Sequence, residues 1–193
     1  MGTMNLDAAL IAGRGLVLLR SPNTAGPTYA QILTLVSSGG VTLPAGTSHI
    51  GETDPEDLPS WDKDGGDSEV KRTWWTESAR EKRDPETKFF TVKLLQFDND
   101  TLALFEGGGT FANPNEFISP TNPAAIEKGC TIIYADNGNV LAEDMARVSF
   151  RGEGTIEHST DEWSKIPVKG TVLTPTAGGP IHRWLGEHVG TPI

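Results

Sequence analysis

A chain of 193 residues with 26 acidic and 16 basic side chains carries a formal net charge of −10. That sign argues against tight binding of duplex nucleic acid, which rests on Lys and Arg neutralising phosphates, and it suits a surface past which nucleic acid moves without adhering. The length provides a single domain over residues 1–193 with a real core, the 22 glycines and 13 prolines favour strands and turns, and the lone Cys130 excludes an intrachain disulfide and gives no sign of an oxidising compartment.

In chain order, Asn5 or Asp7 is placed to cap a helical turn through Leu10. The apolar patch at 8–12 is too short to span a membrane, so no membrane insertion is expected. Residues 15–20, GLVLLR, read as a first strand ended by Ser21 and Pro22. Residues 29–36, YAQILTLV, fit a helical turn or a strand equally well by period.

Composition then changes over residues 44–69, PAGTSHIGETDPEDLPSWDKDGGDSE, which read as a long loop. Within it Glu52, Asp54, Glu56, Asp57, Asp62, Asp64, Asp67 and Glu69 stand against Lys63 alone, a net −7 of the chain's −10. Loops of this length are either disordered or used for contact. Trp61 favours contact, since a large aromatic needs a surface to cover; Trp61 folded back on its own domain is the equal alternative.

Residues 70–79, VKRTWWTESA, resume strand character, and 80–86, REKRDPE, form a charged turn that leads back into 89–97, FFTVKLLQF. The returning strand is expected to be buried on both faces, with Phe90, Val92 and Leu94 on one and Phe89, Leu95 and Phe97 on the other. Trp74 and Trp75 are expected to pack in the core. Asp98 or Asn99 caps a short helix whose Leu102, Leu104 and Phe105 pack against the sheet, and Gly107 ends it. After a Pro-rich loop over 110–128 with at most a short strand near Phe117, residues 130–135 and 140–142 flank Asn137-Gly138, a hairpin signal because both residues tolerate positive φ. Residues 145–156 and 166–173 alternate cleanly and pair, leaving a wet face with Arg147, Arg151, Glu153 and Lys169 directed outward or into a channel. The tail, 175–193, reads as an arm that docks through Ile181, Trp184 and Leu185.

Catalytic motifs are absent: there is no GxSxG elbow, phosphate loop or HExxH, and His49, His158, His182 and His188 share no metal spacing with Cys130. Residues 62–69 place oxygens at short intervals as a calcium loop does, but Asp67 occupies the glycine position and Thr73 that of the closing glutamate. No cofactor, metal or enzyme activity is expected.

In order along the chain, ETDPEDLPSWDKD, VKRTWW, QFDNDTLALFEGG, VSFRGEGTI and IPVKGTVLTP resemble the major tail tube proteins of bacteriophages with long non-contractile tails, over about three quarters of the length. The resemblance implies an antiparallel β-sandwich or barrel with one short flanking helix, a long acidic loop and extended terminal arms. It further implies hexameric rings stacked into a hollow conduit for genome delivery, in the virion tail after assembly in the host cytoplasm. The partners implied are further copies of the chain, a tape measure protein, tail tip or baseplate and tail terminator proteins, and DNA passing without specific binding. On this reading the acidic loop, with Glu52, Asp54, Glu56, Asp57, Trp61, Asp62 and Asp64, is the arm that reaches a neighbouring ring, and shortening 53–66 leaves a folded monomer unable to lengthen tubes. The alternatives are a carbohydrate-binding β-sandwich module, an enzyme with an unrecognised site, or the tube of a contractile tail or type VI secretion system.

Overall fold

The computed structural model describes residues 10, 12–78, 80–113, 115–136, 139–187 and 189. Its elements are β1 Arg14–Arg20, α1 Tyr29–Ser37, β2 Thr47–His49, β3 Ser60–Gly65, β4 Ser68–Lys71, β5 Arg80–Arg83, β6 Glu86–Leu94, α2 Asn99–Glu106, β7 Thr110–Asn113, β8 Glu116–Ile118, β9 Ile126–Asp136, β10 Asn139–Gly152, β11 Ile166–Val172 and β12 Arg183–Gly186. The principal sheet is antiparallel in the order β2-β1-β9-β10-β11-β6-β3, with β12 also beside β10. β10 organises it. Before a register shift between Met145 and Val148 it pairs with β12 through Leu141–Asp144, and after the shift with β11 through Val148–Gly152, so the bulge hands one strand edge from one partner to the next.

The sheet curls on itself. Beyond β2 the Ile50 amide donates to the Val17 carbonyl at 3.0 Å, the Leu95 amide to the Glu52 carbonyl at 2.9 Å, and the Asp54 amide to the Lys93 carbonyl at 3.1 Å. Residues 47–54 therefore lead from the β1 edge to the β6 edge. Inside the curl lie Val17, Leu19, Ile50, Phe90, Leu94, Ile132, Met145, Val148, Phe150 and Ile166, with Leu104 of α2. Alternation along β1 and β9 sends Leu18 and Ile133 to the opposite face, where Ile32 and Leu35 of α1 cover them.

Two helices flank the sheet, where a single one was expected. α1 starts at a capping box in which the Thr28 side chain accepts from the Gln31 amide and the Gln31 side chain accepts from the Thr28 amide. α2 starts at the expected cap, Asp98, whose carboxylate accepts from the Thr101 amide at 2.9 Å, and stops at Gly107 with φ +74.

Other expectations are corrected. Residues 44–69 hold β2, β3 and the start of β4 instead of a structureless loop. Residues 80–86 are not the turn of the long hairpin: they contain β5, and the reversal comes earlier, at 73–76. Strand β6 buries Phe90, Val92 and Leu94 but leaves Phe89, Thr91 and Lys93 half-buried, with Phe97 44% exposed, because its second face carries polar partners and no covering layer. In the Pro-rich stretch 110–128 the short strand near Phe117 is β8, and β7 pairs with it in a hairpin. The helical turn at 5–10 and the Asn137-Gly138 turn fall, but for Leu10, outside the described residues; β9 and β10 do pair directly, Asp136 opposite Asn139.

Candidate functional site

The feature that extends beyond the core is a long hairpin arm. β3 pairs with β6 from Ser60 opposite Thr91 to Gly65 opposite Glu86, and β4 pairs with β5 from Ser68 opposite Arg83 to Lys71 opposite Arg80. Between the two ladders the Gly66 amide donates to the Pro85 carbonyl at 3.3 Å and the Asp84 amide to the Asp67 carbonyl at 2.9 Å, so both ladders belong to one continuous hairpin. Its waist needs Gly65: φ is +79, and a Cβ there would lie 2.5 Å from the Pro85 carbonyl oxygen. Every residue of β4 and β5 is exposed.

At the tip the Thr73 amide donates to the Thr76 carbonyl at 2.9 Å and the Thr76 amide to the Thr73 hydroxyl at 3.1 Å. This turn presents Trp74 and Trp75, 101% and 99% exposed. The expected core packing of the pair is thus overturned. They lie at a reversal, where neither side chain has a layer to enter. Nine residues from Gly65 to Trp74 at about 3.3 Å each give a reach of roughly 30 Å, beyond the radius of gyration of about 16 Å expected for a domain of this length.

The root of the arm is anchored in the body. Trp61 packs against the core, its ring 5.1 Å from Phe90 and stacked 5.0 Å from His182, which stacks in turn 5.2 Å from Trp184. Trp61 Nε1–H donates to Glu143 Oε1 at 3.1 Å. Glu143 is 2% exposed, and His182 Nε2 stands 3.0 Å from its other oxygen, off the line of a well-formed hydrogen bond. Burial, followed by the nearby Glu143 carboxylate, raises the Tyr134 phenol above its ordinary range. Trp61 is thus folded back on its own domain.

The acidic residues separate into two groups. Asp54 is buried and pairs with Lys165 at 2.5 Å, while Asp57 takes Lys93 at 2.9 Å and Lys165 at 3.3 Å. The Lys165 hydrogen bond outweighs burial and holds the Asp54 carboxyl below its ordinary range; Lys93 and then Lys165 do the same for Asp57. Asp54 in return raises Lys165. Glu52, Glu56, Asp62 and Asp64 remain exposed.

The C-terminal segment lies along β10, with Trp184 opposite Glu143 and Arg183 opposite Asp144. Leu185 packs against the cluster that holds Ala142, Ile32 and Leu35, while Ile181 and Trp184 are 46% and 48% exposed. Beneath it sits a buried ionic cluster: Asp144 meets Arg20 at 2.9 Å and Arg183 at 2.8 Å and accepts from the Thr131 hydroxyl at 2.8 Å. Neither this cluster nor the Glu143 site is legible from local sequence, because the partners lie far apart in the chain.

On the wet face of β10 and β11, Arg147 makes paired contacts with Glu127 at 2.7 and 2.9 Å. Lys169 meets Glu153 at 3.0 Å and covers the Phe89 ring at 3.5 Å. Arg151 is exposed. Leu102 and Phe105 of α2 are half-buried against the core that Leu104 enters.

The family model described as Phage tail tube protein matches residues 2–193. The Major tail protein Gp23 of Mycobacterium phage D29 is 32% identical over 187 residues, covering 95% of this chain and 93% of that protein. The Major tail protein Gp23 of Mycobacterium phage L5 shows the same identity and coverage.

Proposed function

The chain belongs to the phage tail tube protein family and is a structural major tail tube subunit of the virion, and from that premise we propose that it forms hexameric rings stacked into a hollow conduit for genome delivery, with the β3–β6 hairpin as the arm between rings. The observation that carries this reading is the arm itself, a two-stranded projection of roughly 30 Å whose outer strands are exposed throughout. An isolated two-stranded ribbon is marginally stable in water and presents unpaired edges, so this one fits a role in which another copy completes it. Ring formation would pair the remaining sheet edges in the same way.

In this proposal Glu52, Glu56, Asp62 and Asp64 face neighbouring subunits, whereas Asp54, Asp57 and Trp61 brace the root of the arm. The wet face with Arg147, Arg151, Glu153 and Lys169 turns toward the lumen or an adjoining subunit. Its charges are largely paired, and the net −10 disfavours adhesion of phosphates within a Debye length of about 8 Å. The tube assembles in the host cytoplasm around a tape measure protein, between tail tip or baseplate proteins and a tail terminator, and performs no catalysis.

The test follows from the hairpin's construction. Shortening residues 53–66 would remove Asp54, Asp57 and Trp61 and so disturb the body. Joining Asp67 to Asp84, already hydrogen-bonded at 2.9 Å, through an Asn-Gly turn deletes the outer arm alone. The variant should keep the parent's denaturation midpoint and fail to form tubes when viewed by negative-stain electron microscopy. Tubes of normal length would overturn the proposal.

A further inference from the structure

We propose that the Trp74–Trp75 tip of one copy seats in a groove at the root of another copy's arm, between the open edge of β1 and residues 52–59. The inference rests on the inter-ring reading of the arm and names the surface that the arm engages.

The groove has a volume of about 570 Å³ and a mainly apolar lining that includes Leu16, Val36, Leu58, Leu95 and Trp163. It exists because β2 ladders onto only part of β1, Leu18–Arg20. Among the described residues no strand pairs with Arg14–Leu16 on that edge. Leu58 and Trp163 are 43% and 75% exposed. The volume lies within the range that accepts a compact aromatic ligand and accommodates two indole rings.

Tip and groove match in polarity and in charge. Two adjacent, fully exposed tryptophans make an apolar patch that a monomer has no use for, and their turn is already closed by Thr73 and Thr76, so little ordering remains to be done on docking. Arg72 and Arg80 flank them in sequence against Glu77, while Lys71 pairs with Glu69. At the groove, Glu52 lies on the wall and Glu56 is exposed beside it. Arg14 is the cation among the described lining residues. Such pairing favours a fixed orientation of approach.

The contact has to be intermolecular. Leu58 and Pro59 immediately precede β3, so groove and tip lie at opposite ends of one ladder and cannot meet without breaking it. A patch that fits a pocket elsewhere on the same molecule makes a heterologous contact, which propagates from copy to copy instead of closing on itself. Tip to root, repeated once per subunit, is a geometry for axial growth.

Cys130 makes the test clean. It is buried, and burial raises its thiol far above the ordinary range, so introduced cysteines are the reactive ones. Chains carrying Trp75→Cys and chains carrying Leu58→Cys are mixed, assembled and oxidised, with Ile118→Cys on the β7–β8 hairpin as the control. The expected result is an interchain disulfide for the Trp75 and Leu58 positions and none with the control. Trp74→Ala/Trp75→Ala and Leu58→Glu should each raise the concentration needed for tube growth about thirtyfold, the scale of losing an interface tryptophan. If deleting the outer arm blocks tubes but no disulfide forms and Leu58→Glu grows normally, the groove assignment falls while the arm reading stands. If the arm deletion grows normal tubes, both fall. If the double alanine variant grows tubes like the parent but loses co-sedimentation with anionic vesicles, the tip is a lipid contact and the proposal is overturned.

Discussion

Replacing Asp144 by Asn should be among the most damaging near-isosteric changes in this chain, and its cost can be worked from the contacts. Asp144 and Arg20 are each 5% exposed. The carboxylate holds Arg20 at 2.9 Å and Arg183 at 2.8 Å, and the Thr131 hydroxyl donates to it at 2.8 Å. The amide keeps the shape and removes the charge, leaving the Arg20 guanidinium buried with only neutral partners, the Thr131 hydroxyl and the Thr24 and Met145 carbonyls. Removing one partner of a buried pair costs about 3–5 kcal/mol, at least a fifth of the roughly 5–15 kcal/mol that holds a domain folded. For this length that is a fall in Tm of roughly 6–20 °C. Arg183→Ala should cost less, about 1 kcal/mol, because its side chain is already 36% exposed, yet it should free the C-terminal segment. Urea denaturation monitored by tryptophan fluorescence, with limited proteolysis of the C-terminal segment, separates the two effects. An Asp144→Asn variant within about 0.5 kcal/mol of the parent, the scatter of neutral surface changes, would refute the reasoning.

Two further predictions concern α2 and acid. Gly107→Ala forces a side chain into φ +74 with its Cβ 2.7 Å from the Ala124 carbonyl oxygen; the conformation alone costs about 1–2 kcal/mol, and thermal denaturation should show at least that loss, whereas no change would mean the helix stop relaxes freely. Asp54 and Asp57 titrate below their ordinary value of 3.8 because Lys165 and Lys93 hydrogen-bond to them, so the unfolded chain binds more protons in acid. The stability they contribute is fully present above that value and is lost as pH falls through the lowered folded values. Denaturation midpoints measured downward from pH 6 should drop steeply at the acid end, less so in Asp54→Asn, and an identical slope in that variant would contradict the assignment.

Periodicity made much of the body legible. The alternation in β10 and β11, the apolar run of β1 and the Asp98 cap with its Gly107 stop each report a local physical requirement, and the folded chain meets them. Residues 29–36 were ambiguous because Ile, Thr and Val suit strands as well as helices, but Thr28-x-x-Gln31 is a capping signal that resolves them in favour of α1. The arm carries little local signal. β3, β4 and β5 have water on both faces over most of their length, so no two-residue apolar period marks them, and the glycines at its waist read as loop. Trp61 marked the right segment as important while its location, stacked on His182 from the far end of the chain, depended on tertiary partners. The Asp54–Lys165 pair, joining residues more than a hundred positions apart, is equally invisible to local pattern.

The central claim is that this subunit builds a tube through its hairpin arm. The most direct measurement is a helical reconstruction by electron cryomicroscopy of tubes grown from the full-length chain. Expected are stacked rings in which the hairpin beyond Gly65 projects along the tube axis and ends with Trp74 and Trp75 against a neighbouring ring. Tubes whose rings touch through other surfaces, with the hairpin lying free in solvent, would contradict it.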